Sequence, residues 1–145
     1  MLAQTTRYGS IERPDVADLL KKLRIYPAGR ALDQRLIDTL KSDLSRPGGD
    51  LSFLNLVPSG EGTAGIFIDL NADKIDEFVL LTPYRGRVYE DRLGNWSDVG
   101  DVFLDPRGAK RDLIDDLVKG NVSVRPSKWN DLLIGKHTYR INAPD

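Results

Sequence analysis

Two apolar runs, Gly65-Ile66-Phe67-Ile68 and Phe78-Val79-Leu80-Leu81, flank the acidic stretch Asp69-Leu70-Asn71-Ala72-Asp73-Lys74-Ile75-Asp76-Glu77. Each run has the length of a buried strand. A connection this short cannot hold a crossover, so the two runs must pair antiparallel. The same logic extends downstream. Pro83 to Gly86 turns the chain, Arg87-Val88-Tyr89-Glu90 alternates, Leu93-Gly94-Asn95 turns again, and Trp96 to Val99 closes the set. The pattern predicts a four-strand antiparallel meander.

Helical periodicity lies upstream. Pro14 suits a first helical position, and Val16, Leu19, Leu20 and Leu23 follow at helical spacing. A second helix begins at the N-cap candidate Asp33, with Leu32 and Ile37 at the spacing of a hydrophobic staple. Its stripe is Leu36, Ile37, Leu40 and Leu44, and Arg46-Pro47-Gly48-Gly49 stops it. Leu51 to Val57 reads as a strand. A third helix runs from about Lys110 to Lys119, with Gly120 just beyond its end. Val122-Ser123-Val124 and a hairpin, Asp131–Ile134 with His137–Ile141, finish the chain. The Gly135-Lys136 turn between them is a type II′ signature.

Residues 1–13 lack periodicity and read as a lead-in segment, and residues 14–145 read as a single domain. The fold class expected is α+β: two N-terminal helices, an antiparallel β-meander of about five to seven strands, one further helix and a C-terminal β-hairpin. The helices are expected to cover one sheet face and leave the other open.

Composition removes several classes of function. With 21 basic and 22 acidic residues the net charge is −1, which gives no bulk field toward nucleic acid or an anionic membrane. The chain has no cysteine, so thiolate metal sites and cysteine nucleophiles are out. Its one histidine, His137, cannot build a multi-histidine metal site; beside a hairpin turn it reads as a solvated side chain. No stretch approaches the roughly 18 apolar residues of a membrane span, so the domain itself does not span.

The acidic turn carries the most specific chemistry. Counting Asp69 as position 1, oxygen-bearing side chains fall at 1 (Asp69), 3 (Asn71), 5 (Asp73) and 9 (Glu77), and Ile75 at 7 can offer its carbonyl. Calcium takes six to eight oxygens, roughly 2.3–2.6 Å away, from such donors. The stretch resembles the calcium loops of FG-GAP and related propeller-type repeats, D-x-[D/N]-G-D-G-x-x-[D/E]. Those loops favour glycine where this chain has Ala72 and Lys74. Three readings stay open: a turn whose Asp and Asn side chains cap their own backbone N–H groups, a calcium site, or a carboxylate set serving a small hydrolase or lyase through Asp69, Asp73 or Glu77. A second candidate is a partner-binding surface in which Arg85, Arg87 and Arg92 interleave with Tyr84 and Tyr89, next to Trp96.

Four phrases, RIYPAGRALDQRLIDTL, FIDLNADKIDEFVLL, VYEDRLGNWSDVG and WNDLLIGKHTYRI, follow one another in the order found in a soluble C-terminal domain of a bacterial family of multi-pass membrane proteins of unknown function. The chain resembles that domain over about residues 20–141. The resemblance brings no activity. It implies an accessory or interaction module attached to a membrane or envelope protein, facing the periplasm, with an unknown protein partner.

Overall fold

A computed structural model describes residues 14–45, 62–104, 113–125 and 130–142. Helix α1 spans Pro14–Lys22, strand β1 Arg24–Tyr26, and helix α2 Gln34–Leu44. The meander follows as β2 (Ala64–Ile68), β3 (Glu77–Leu81), β4 (Arg85–Arg92) and β5 (Asn95–Leu104). Helix α3 (Leu113–Val118) leads into β6 (Val122–Arg125), β7 (Asp131–Ile134) and β8 (His137–Asn142). All eight strands join one sheet in the order β1-β2-β3-β4-β5-β8-β7-β6. The expected strand over Leu51 to Val57 and the residue Trp129 lie outside the described residues.

The meander forms as its turns require, with β2, β3, β4 and β5 paired antiparallel in sequence order. The α+β fold class with five to seven strands needs correction. The described chain is mostly β, an eight-stranded mixed sheet curled into a half-barrel with three helices. The N-terminal helices are not a contiguous pair: β1 lies between them and pairs parallel to β2. Three residues are too few for a visible alternation, so periodicity passes over β1. The remaining pairs are antiparallel, including β5 with β8 and the β6-β7-β8 set. The curl shows in α3, which touches both β1 and β7, strands near opposite ends of the sheet order.

Curling gives the sheet two cores. On the outer face, α1 and α2 lay Val16, Leu19, Leu23, Leu36, Leu40 and Leu44 over Phe67, Phe78, Leu80 and Tyr89. On the concave face, Leu113 and Leu117 of α3 meet Ile66, Val79, Val88, Leu132 and Tyr139 among others. Helices therefore sit on both faces, against the expectation of a single covered face. β3 is buried along its whole length because it contributes to both cores. Burying an aliphatic side chain contributes about 1.5–3 kcal/mol, which makes β3 the least replaceable strand. At Gly65 the packing leaves no room for a side chain: a Cβ there would stand 2.6 Å from the Phe78 ring.

Local signals hold at the helix and turn ends. Asp33 Oδ1 accepts from Leu36 N at 2.8 Å, closing the N-terminus of α2. Gly120 adopts φ +74 after α3, and Gly135 adopts φ +61 in the last hairpin.

Candidate metal centre

The acidic turn is pinned between β2 and β3, whose register pairs Ile68 with Glu77 and sets the two ends of the loop side by side. Within it Ala72 (φ 62) and Lys74 (φ 70) are both left-handed. Neither residue is glycine, so each of the two left-handed positions costs roughly 1 kcal/mol.

That backbone turns successive amides inward. Asp69 accepts from Lys74 N at 2.8 Å and from Asp73 N at 3.3 Å, and Asp73 accepts from Ile75 N at 2.9 Å. A slight loss of water pushes the Asp69 carboxyl upward, but the amides of Lys74, Asp73, Ala72 and Asn71 together outweigh it and hold the group below its ordinary value. Asn71 stands between the two aspartates. Turned one way its amide donates to Asp69 Oδ1 (3.1 Å) and Asp73 Oδ1 (2.8 Å). Turned the other way its oxygen accepts from Asp73 N at 3.4 Å.

Glu77 closes the cluster from below. It is only 3% exposed. Its Oε1 accepts from Leu70 N at 2.6 Å, while its buried Oε2 has no hydrogen-bond partner. Burial, countered in part by the Leu70 amide and reinforced by the charges of Asp73 and Asp69, pushes this carboxyl up to about 7. Carboxylate oxygens of Asp69, Asp73 and Glu77 lie within 4.8 Å of one another, so the cluster could hold a metal ion. Among the described residues, no lysine or arginine forms an ion pair with any of the three. Ile75, the expected carbonyl donor, is 49% exposed and lies on the same loop.

The six residues read as a partner surface are not brought together. Tyr89 is fully buried under α2, and Arg87 is 7% exposed. Trp96 is half-buried against the outer core and donates from Nε1 to Asp33 Oδ2 at 3.3 Å. Tyr84 is exposed in the β3–β4 turn, and Arg85 is half-buried at the start of β4. Arg92, exposed and paired with Glu90, lies at the other end of that strand. His137 also departs from its reading as a solvated side chain: it is 6% exposed, and neither ring nitrogen has a hydrogen-bond partner.

Sequence reasoning missed a second charged cluster. Asp43 on α2 accepts from Tyr89 Oη and from Arg87 at 3.0 Å, and Arg87 Nε lies 3.4 Å from Asp98 and 3.6 Å from Asp101. Burial and the nearby Asp43 carboxylate raise the Tyr89 phenol well above its ordinary value. Burial also raises Asp98, with Arg87 opposing. A bulge where Val88 pairs Gly100 but Tyr89 pairs Asp98 turns Asp98 toward this cluster. One signal was available: Asp43 falls seven residues after Leu36 and three after Leu40, on the apolar stripe of its helix, where a polar residue demands a partner.

No protein family, curated protein or solved structure matches the chain in comparisons of sequence and of fold. The site's chemistry is therefore read from its own residues.

Proposed function

We propose that this protein is a non-enzymatic accessory or interaction module of a bacterial envelope or membrane protein, and that a calcium ion held in the acidic turn stabilises its central hairpin. The observation that carries the reading is Glu77, a buried carboxylate with one unpartnered oxygen, facing two further carboxylates with no lysine or arginine of the described residues paired to any of them. An unpaired buried charge is strongly unfavourable, and a divalent cation facing Glu77 removes that penalty while neutralising the two aspartates beside it. The donor set is oxygen throughout, which suits a hard cation, and the three carboxylate oxygens lie within 4.8 Å of one another. Asp69, Asn71, Asp73 and Glu77 supply side chains and Ile75 a carbonyl. The left-handed backbone at Ala72 and Lys74 and the Lys74 charge both weaken the site, toward the roughly millimolar class typical of extracellular modules. A site of that affinity fills outside the cytoplasm, in keeping with a periplasmic location. Among the described residues no helix is long and apolar enough to cross a membrane, so attachment to a membrane falls to other parts of a parent protein.

Thermal unfolding in chelator and in rising calcium, with magnesium as control, tests the reading. A ligand that binds only the folded state adds RT ln(1 + [L]/Kd) to stability. A saturable, calcium-specific rise in Tm is expected, abolished by Asp69→Ala and by Asp73→Ala. A flat response up to about 10 mM calcium, beyond the weak extracellular class, defeats the calcium part and leaves a turn that caps its own amides.

A further inference from the structure

We propose that Asn130 makes the acidic turn a metal-dependent latch on the C-terminal hairpin, so that a cation bound by Asp69, Asp73 and Glu77 steadies β7 and β8 as well as the turn. The inference rests on the cation reading above and adds a route by which the ion is felt elsewhere in the fold.

The route runs through Leu70. Its N–H donates to Glu77 Oε1 at 2.6 Å, inside the candidate site. Its carbonyl accepts from Asn130 Nδ2 at 3.0 Å, a bond that spans 60 residues of sequence. Its side chain, 7% exposed, belongs to the concave core with Leu132, Ile134, Tyr139 and Ile141 of the hairpin. One residue thus faces the metal ligands with its amide and the hairpin with its carbonyl and side chain.

Asn130 is shaped for this contact. It stands immediately before β7 in a left-handed conformation (φ 58), which asparagine tolerates better than other side-chain-bearing residues. From there its own carbonyl accepts from Ile141 N at 3.4 Å, across the open end of the hairpin, while its side chain reaches back to the turn. A cation that draws Asp69 and Glu77 together restricts the Leu70 peptide between them and so favours the docked hairpin. By linkage, the docked hairpin must favour the cation equally.

The turn has a second tether, which serves as the control. Asp76 pairs with Arg30 at 3.0 Å, but the side chains are 37% and 43% exposed. Water and salt screen such a pair, and it is not expected to carry coupling.

The test is calcium titration by calorimetry together with amide hydrogen exchange, on the wild-type chain and on Asn130→Gly, Asn130→Asp and Arg30→Ala. Glycine keeps the left-handed backbone and removes the amide; aspartate keeps the shape and removes the donor. Calcium is expected to slow exchange of turn amides and of amides in residues 131–142 of the wild type. In Asn130→Gly, affinity should fall roughly tenfold, and the hairpin amides should lose their calcium response while the turn amides keep theirs. Arg30→Ala should match the wild type. If Asn130→Gly does not fold, Asn130→Asp carries the comparison. If neither folds, the wild type alone still decides: turn amides that slow without the hairpin amides overturn the latch. Unchanged affinity and an unchanged hairpin response in either Asn130 variant overturn the latch while the cation reading stands. Absence of any calcium binding to the wild type overturns both.

Discussion

Among the described residues, two carboxylate clusters stand against one meander, and they are solved in opposite ways. Around Tyr89, the charges of Asp43, Asp98 and Asp101 converge on the buried guanidinium of Arg87, with the Tyr89 hydroxyl as a further donor. At the β2–β3 turn, Asp69, Asp73 and Glu77 meet with backbone amides and, among the described residues, no paired lysine or arginine. A cluster that carries its cation internally is a structural joint; here it fastens α2 to β4 and β5. A cluster with no such cation among the described residues keeps an unpartnered buried oxygen and could hold a metal ion. The cleft beside the first cluster, about 400 Å³ and lined by Asp38, Thr39, Ser42, Asp43, Tyr89 and Asp98, shows that acidity alone does not separate the two. The internal arginine does.

Arg87→Ala is the harshest way to break this contrast. It strips the cation from the first cluster, leaves Asp43 and Asp98 facing each other near the outer core, and should destabilise the fold by about 3–5 kcal/mol in urea unfolding. A loss below about 1 kcal/mol, the range of an exposed pair, would show that the joint is mostly solvated.

Glu77→Gln acts in the other direction. Glu77 titrates at about 7 in the folded chain against a reference of 4.5, so the folded state binds the proton more tightly than the unfolded one. Stability from this group is therefore greatest below about pH 4.5, falls as pH rises through about 7, and is flat above. In metal-free buffer the wild type should lose on the order of 3 kcal/mol across that window. The glutamine variant should keep that stability, exceed the wild type at pH 8, and show no calcium response. Chemical denaturation at pH 4.5, 6 and 8 reads all three, and a glutamine variant that is weaker than the wild type at pH 8 would contradict the assignment.

Replacing Ala72 and Lys74 together by glycine sharpens the second cluster rather than breaking it. Relief of two left-handed positions should add about 1 kcal/mol in total, once the greater freedom of the unfolded chain is subtracted. Loss of the lysine charge should tighten calcium several-fold, read by calorimetry. Unchanged affinity would show that neither residue limits the site. The smallest effect is expected from Arg30→Ala, which removes an exposed pair and a contact over the Phe67 ring and should shift stability by less than about 1 kcal/mol.

Much of this was legible from residues alone. Tight connections dictated the meander, because short links leave no other way to pair strands. Asp33, Gly120 and Gly135 marked ends of elements through local sterics and capping that act within a few residues. The oxygen spacing of Asp69, Asn71, Asp73 and Glu77 pointed to one cluster, since an eight-residue loop between paired strands keeps its own side chains close to the first residue of the next strand. Tertiary structure decided the rest. Whether Arg87 and Tyr89 face a partner or a core depends on where α2 lies, and strand alternation says only that they share a face. β1 became a strand because β2 offered it an edge. His137 is buried in the folded chain, which its place beside a hairpin turn did not foretell. The link between Leu70 and Asn130 joins residues far apart in the chain, and no local pattern encodes a contact at that separation. Periodicity and turn chemistry are short-range and readable; burial, partners and the availability of a compensating charge belong to the assembled fold.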